Sequence, residues 1–378
     1  MSRTEVAVDG ERFLIGGRPT YEGREWHGHS IEGLLMNSRM VQATFDDENP
    51  LTRALWKYPD LDDWDPERNT DEFVAMLPEY RAYGLLAVTL NLQGGCPTGY
   101  YREQRLDEIL RPLPFEVQML VQQQFHGPLA HAQPWHNSAF DEEGRIKASY
   151  LRRLAKILDR LDELGMVAIL GLYYFGQDER LRDHWAVRRG VEQAVSWVLA
   201  RGYTNVLIEI CNETNVAKYE YDILQPHRVH ELIVQAKETA LNGRRLLAGV
   251  SFGGGRVPDE QVVAVSDFLL LHGNGVKDPA RIREMVAQTR ALARYRAHPM
   301  LVVFNEDDHF DFDQPRNNLV AAVEIHASWG FFDGGASSGG SIAHGNYRDG
   351  YQLVPVNWGI NTPTKQGFFH LLKEITGA

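Results

Sequence analysis

Apolar residues along the chain fall into two alternating rhythms. Short, nearly continuous apolar runs predict eight strands: Gly33–Arg39, Leu85–Leu90, Met166–Leu172, Asn205–Ile210, Arg245–Val250, Asp267–His272, Met300–Phe304 and Ser328–Phe332. Between them, apolar residues recur at helical spacing. Leu151, Leu154, Ile157, Leu158 and Leu161 share one face, as do Val191, Ala194, Val195, Val198 and Leu199. Val229, Leu232, Ile233 and Ala236 repeat the pattern, and so do Ile282, Met285 and Val286. A last helix is predicted with Thr362 as its cap, Pro363 in its first turn, and Phe368, Phe369, Leu371, Leu372 and Ile375 on its apolar face.

Strands apolar on both faces and interleaved with helices predict an α/β fold whose parallel sheet is covered by helices. Eight repeats favour closure into a (β/α)8 TIM barrel over an open, doubly wound sheet. No G-x-G-x-x-G fingerprint follows the first strand, which also weighs against the open sheet. Before the barrel, alternation around Asp9-Gly10 predicts a β-hairpin within residues 1–20, ended by Gly16-Gly17 and Pro19 and lying across the bottom of the barrel. Two long loops are expected on the active face: 94–144 after strand two, and the Gly- and Ser-rich 336–357 after strand eight. No linker composition divides the chain, so 1–378 is expected to be a single catalytic domain.

Composition narrows the function. The 378 residues are 43% hydrophobic and 24% charged, an ordinary globular balance. The formal net charge of −12 disfavours a nucleic-acid or anionic-membrane surface and suits an uncharged substrate. Cys96 and Cys211 form neither a disulfide framework nor a zinc spacing and read as small buried residues. The N-terminal residues carry no apolar core of signal-peptide length, so a cytoplasmic location is expected. Nothing in the sequence fixes an oligomeric state.

Active sites of such barrels lie at the C-terminal ends of the strands. Those ends carry Arg39 and Asp46-Asp47, then Asn91, Tyr173 and Tyr174, then Asn212 and Glu213, then Ser251. Strands six to eight add His272 and Asn274, then Asn305, Glu306, Asp307, Asp308 and His309, and Trp329. Two glutamates each end a strongly apolar strand: Glu213 in VLIEICNETN and Glu306 in MLVVFNEDDH. Strands four and seven of a closed barrel place their ends across one cavity. Glycosidic cleavage needs two such carboxyl groups facing one bond, about 5–5.5 Å apart for retention of configuration and further apart for inversion.

On IEICNET (208–214), VVFNEDD (302–308) and the eightfold βα order, the chain resembles the clan-A retaining glycoside hydrolases, the superfamily of cellulases, mannanases and β-galactosidases. The resemblance implies Glu213 as general acid/base, Asn212 as the residue holding the substrate's 2-hydroxyl, and Glu306 as nucleophile, with Arg39 as the strand-end arginine that steers it. A β-type glycosidic bond would then be cleaved by double displacement, with no cofactor or metal and with an oligosaccharide or glycoside as substrate. Two departures stand out. Thr214 replaces the proline often found after Asn-Glu, and His272 is followed by Gly273 and Asn274 instead of a tyrosine two residues on. Glu213 is expected to have a raised pKa and Glu306 a low one.

His272, Asn274 and His309 are further candidates for substrate binding, and Tyr173, Tyr174, Trp329 and Trp358 are candidate sugar platforms. Glu209, two residues before Cys211 on the face of Glu213, reads as a barrel-interior ion pair with Arg39. The acidic run 305–313 reads as a solvated loop more than a calcium site, because it lacks the glycine of a calcium-binding turn. Two other functions stay open: a metal-dependent barrel hydrolase or isomerase using His272, His309, Asp307 and Glu306, and a carbohydrate-binding barrel without catalysis.

Overall fold

The computed structural model describes residues 4–97, 111, 114–119, 133–334, 347 and 349–378. The central part of the loop 94–144, including Tyr100 and Tyr101, and most of the loop 336–357 lie outside them. Eight parallel strands form the barrel: β1 (Asn37–Arg39), β2 (Ala87–Asn91), β3 (Val167–Tyr173), β4 (Val206–Cys211), β5 (Leu247–Gly249), β6 (Leu269–His272), β7 (Val302–Glu306) and β8 (Gly330–Phe331). Six of them pair in the order β5-β4-β3-β2-β1-β8, and β6 pairs with β7. Single bridges complete the ring: Ser251 to Leu270 joins β5 to β6, and Val303 to Ser328 and Asp307 to Phe331 join β7 to β8. Each strand lies within the apolar run predicted for it or within two residues of it.

The barrel floor is apolar. Leu35, Ala87, Val167, Ile169, Leu207, Leu270 and Val303 fill it, and Phe13 from the N-terminal hairpin closes it from below. Phe13 is fully buried and its N–H donates to the Gly33 carbonyl at 2.9 Å. Burying such a ring contributes about 2–3 kcal/mol. Gly33, at φ +84°, makes the approach possible: a Cβ there would lie 2.7 Å from Cγ of Arg12. The hairpin, Val6–Asp9 against Arg12–Ile15, does not end at Gly16-Gly17 as its turn residues suggest; it continues into a third strand, Arg18–Pro19.

Helices form the outer layer: α1 (Pro66–Ala82), α2 (Ala148–Glu163), α3 (His184–Arg201), α4 (Val229–Glu238), α5 (Pro279–Ala291), α6 (Asn318–Glu324) and α7 (Pro363–Thr376). Thr362 caps α7 through Lys365 N–H, and Pro363 opens it. The apolar rhythm announces α1 only weakly, because its first turns bury the polar Asn69 and Thr70 ahead of Phe73, Leu77 and Tyr80. Asn69 donates to the Gln42 carbonyl and Thr70 to the Ala43 carbonyl, each at 2.8 Å. Asp65 caps its first turn by accepting from Glu67 and Arg68 N–H. Cys96 and Cys211 are both buried, and neither is in a disulfide. Among the described residues no helix is long and apolar enough to cross a membrane.

Candidate active site

At the exit of β4 the chain turns sharply. Glu213 takes φ +51°, a left-handed conformation that side chains other than glycine seldom adopt. Its neighbours hold the turn. Glu213 N–H donates to Ser251 Oγ at 2.9 Å, and Thr214 N–H donates to the Ser251 carbonyl at 3.0 Å. The Thr214 hydroxyl donates to the Leu224 carbonyl at 2.6 Å, and the Tyr219 hydroxyl donates to the Asn212 carbonyl. Thr214, where the resemblance would have proline, is thus part of the turn's own bracing.

Across the mouth, a register shift between Leu271 and His272 sets His272 of β6 opposite Glu306 of β7. His272 Nδ1 then lies 2.9 Å from Oε1 of Glu213 and 3.5 Å from Oε2 of Glu306. Arg39 from β1 places Nε 2.7 Å from Oε2 of Glu306, and its Nη2 donates to Asn212 Oδ1 at 2.8 Å. Asn274 Nδ2 donates to Oε1 of Glu306 at 2.5 Å. One ligand atom each from Glu213, His272 and Glu306 lie within 4.8 Å of one another. His272 is fully enclosed, the Glu306 side chain is 3% exposed and the Glu213 side chain 16%, so Glu213 is the carboxylate nearer solvent.

The electrostatics reverse the order expected from the sequence. Burial pushes the Glu306 carboxyl above the usual range, and the charges of Arg39 and His272 only partly offset it. Burial pushes Glu213 the same way, but the hydrogen bond and charge of His272, the charge of Arg39 and the Gly254 N–H outweigh it, so Glu213 falls below the usual range. Burial would lower His272, yet the Glu306 charge and the bond to Glu213 raise it. Glu213 is therefore the more readily ionised of the two carboxyls, with the His272 ring one hydrogen bond away.

Arg39, Asn212, Glu213, His272, Asn274 and Glu306 meet at one place. The other candidates do not join them. Tyr173 is fully buried, with its hydroxyl donating to the Val187 carbonyl on α3 at 2.5 Å. Tyr174 is buried, stacked on Phe175 and packed so closely on Gly94 that a Cβ there would lie 2.1 Å from its own Cβ. Trp329 is fully buried against Phe312 and Phe368 and donates to Asp307 Oδ2 at 2.8 Å. Trp358 packs on Phe73 and donates to Asn69 of α1 at 3.2 Å. All four rings are buried, and Tyr173, Trp329 and Trp358 each direct the polar atom at the protein. His309 sits 3.3 Å from both the Val276 carbonyl and Asp311 Oδ2. Glu209 accepts from Asn305 at 3.3 Å, while the ion pair of Arg39 is with Glu306.

The acidic run after β7 is not uniformly solvated. Asp307 is fully buried and accepts from Trp329, from Asn318 and from His309 N–H, and burial raises its carboxyl to about 7. Asp307 and His309 stand outside the only group of three or more carboxylate, histidine or cysteine ligands close enough for a metal among the described residues, namely Glu213, His272 and Glu306. The Arg39 guanidinium already supplies positive charge at that point. Sequence reasoning passed over a second buried acid pair. Asp178 and Glu179, just after β3, are raised by burial to about 7 and about 8, and the Asp178 carboxylate accepts from Glu220 N–H at 2.8 Å. Lying in the polar stretch Gln-Asp-Glu-Arg, they give no apolar signal.

No family model matches the chain, and no curated protein matches it. Solved structures do. A glycoside hydrolase family 5 mannosidase from Rhizomucor miehei aligns with a TM-score of 0.51 at 11% identity, over 99% of this chain and 97% of that one. A β-glucanase from Saccharophagus degradans in complex with cellotetraose aligns at 0.51 and 10% identity, over 100% of this chain and 94% of that one. A structure described as a glycoside hydrolase aligns at 0.54 and 8% identity, over 96% and 72%. The chain thus has the TIM-barrel fold found in clan-A glycoside hydrolases.

Proposed function

We propose that this protein is a retaining glycoside hydrolase acting on a β-linked sugar, with the whole chain serving as one catalytic unit, Glu306 as nucleophile and Glu213 as general acid/base. The observation that carries the reading is the approach of the Glu213 and Glu306 carboxylate oxygens to within 4.8 Å across the barrel mouth. That approach favours double displacement, in which the carboxyl groups stand about 5–5.5 Å apart, over inversion, in which they stand about 6.5–9.5 Å apart. The fold similarity to glycoside hydrolases supports the same class.

In the first step Glu306, oriented by Arg39, attacks the anomeric carbon and the bond to the leaving oxygen breaks. Glu213 delivers a proton to that oxygen, exchanging it with His272 Nδ1 2.9 Å away. In the second step water replaces the leaving group, Glu213 accepts its proton, and the glycosyl ester of Glu306 is cleaved with a second inversion at the same carbon. Asn212, fixed by Arg39, holds the sugar's 2-hydroxyl.

The experiment is a screen of aryl β-mannosides and β-glucosides, followed by proton NMR of the first sugar released. A β-anomer formed first is expected; an α-anomer formed first overturns retention. The Glu213, His272 and Glu306 cluster also favours one second reading, a divalent cation held by those three atoms. Turnover that survives exhaustive chelation removes it.

A further inference from the structure

The carboxylate of Glu306 is gripped at both oxygens, by different chemistry. Arg39 Nε holds Oε2 with a full charge, while Asn274 Nδ2 holds Oε1 with a neutral amide. A single grip would leave the carboxylate free to swing about one bond; two fix its plane. The segment carrying Asn274 is built to stay put. Gly273 N–H donates to the Glu306 carbonyl at 2.7 Å, and Gly275 N–H donates to Asp308 Oδ1 at 2.8 Å, so bonds to the end of β7 bracket Asn274. Both flanking approaches need glycine. A Cβ on Gly273 would lie 2.1 Å from Asp307 Oδ2, and one on Gly254 would lie 2.2 Å from the Asn274 carbonyl oxygen.

We infer that Asn274 is a positioning residue for the nucleophile: its amide aims Oε1 of Glu306 at the anomeric carbon. An amide neither gains nor loses a proton in the working range, so this support does not switch off with pH. The groups facing Glu306 are Arg39 from β1, Glu213 from β4, His272 and Asn274 from β6, and the adjoining Asp307. Of these, Asn274 is the neutral donor, and removing it leaves the charges in place. The inference rests on Glu306 being the nucleophile, as proposed above.

The test compares wild type, Asn274→Ala and the isosteric Asn274→Asp. Two readouts are taken: the pH dependence of kcat/KM on an aryl β-mannoside or β-glucoside, and covalent labelling by the matching fluorinated inactivator, located by mass spectrometry. Losing one charge-assisted hydrogen bond should lower kcat about tenfold to a hundredfold, with KM changed far less. The acid limb should move to higher pH in Asn274→Ala and further in Asn274→Asp, since each change disfavours ionised Glu306. An acid limb unmoved in both variants, with Glu306 labelled in wild type, overturns the inference and leaves the proposed function standing. Wild type labelled at a residue other than Glu306 overturns both.

Discussion

The indole N–H of Trp329 donates to Oδ2 of Asp307 at 2.8 Å, one residue past Glu306. The bond ties the start of β8 to the end of β7 at the point where the proposed nucleophile leaves the sheet. Trp329→Phe keeps most of the ring but leaves a buried carboxylate short of a donor, which costs about 1–3 kcal/mol. Urea denaturation should register that loss. Stability unchanged within about 0.5 kcal/mol would show that the bond has no structural weight.

Buried acids set a pH dependence of stability. Asp307 and Asp178 hold their protons up to about 7 and Glu179 up to about 8, whereas in the unfolded chain they release them in the ordinary carboxylate range. Between those limits the folded state binds more protons, so stability falls as pH rises. These three acids should therefore pull the melting temperature down between about pH 5 and about pH 8, against the opposite pull of His136 and Lys365, whose burial lowers their pKa values. Asp178→Asn should flatten that slope, because the amide keeps an acceptor for Glu220 N–H and has no proton to lose. Equal slopes in the two proteins would count against Asp178 as a source.

Gly254 stands between Glu213 and Asn274. Its N–H lowers the pKa of Glu213, and its missing side chain admits Asn274. Gly254→Ala drives a methyl into the Asn274 carbonyl and should lower kcat/KM by about tenfold or more, together with a lower melting temperature because the clash is with backbone. Full activity in this variant would mean that the loop yields without consequence.

Glu213 and Glu306 should fail differently. Glu306→Gln removes the attacking oxygen and should abolish turnover of every substrate. Glu213→Gln removes the proton donor and should spare substrates whose leaving group departs as a stable anion, such as dinitrophenyl glycosides, while losing about a hundredfold or more on unactivated glycosides. Equal losses on both substrate types would remove Glu213 as the acid.

Much of this architecture is written in short apolar runs. Most barrel strands are buried on both faces and stay largely apolar in succession, β1 with Asn37, Ser38 and Arg39 being the exception, and the Asn-Glu pairs just after β4 and at the end of β7 interrupt that pattern visibly. Where a polar atom is paired inside the protein, the pattern is silent. Asn69 and Thr70 bond barrel-loop carbonyls from within α1, so its apolar stripe is confined to Phe73, Leu77 and Tyr80 in the second half. Tyr173 and Trp329 sit near strand ends like sugar platforms, but only coordinates reveal that the hydroxyl of one reaches α3 and the indole of the other reaches Asp307. Asn274 was legible as a residue near the site, yet its grip on Glu306 depends on the two glycines that let three strand ends crowd together.

The left-handed backbone at Glu213 has a practical corollary for engineering. A carboxylate-bearing residue in that conformation costs roughly 1–2 kcal/mol that glycine would not. Glu213→Gly would relieve that strain but leave the buried His272 ring without its partner, so heat resistance alone is a poor guide to variants at this position. Directed evolution of this scaffold has to select for turnover and durability together.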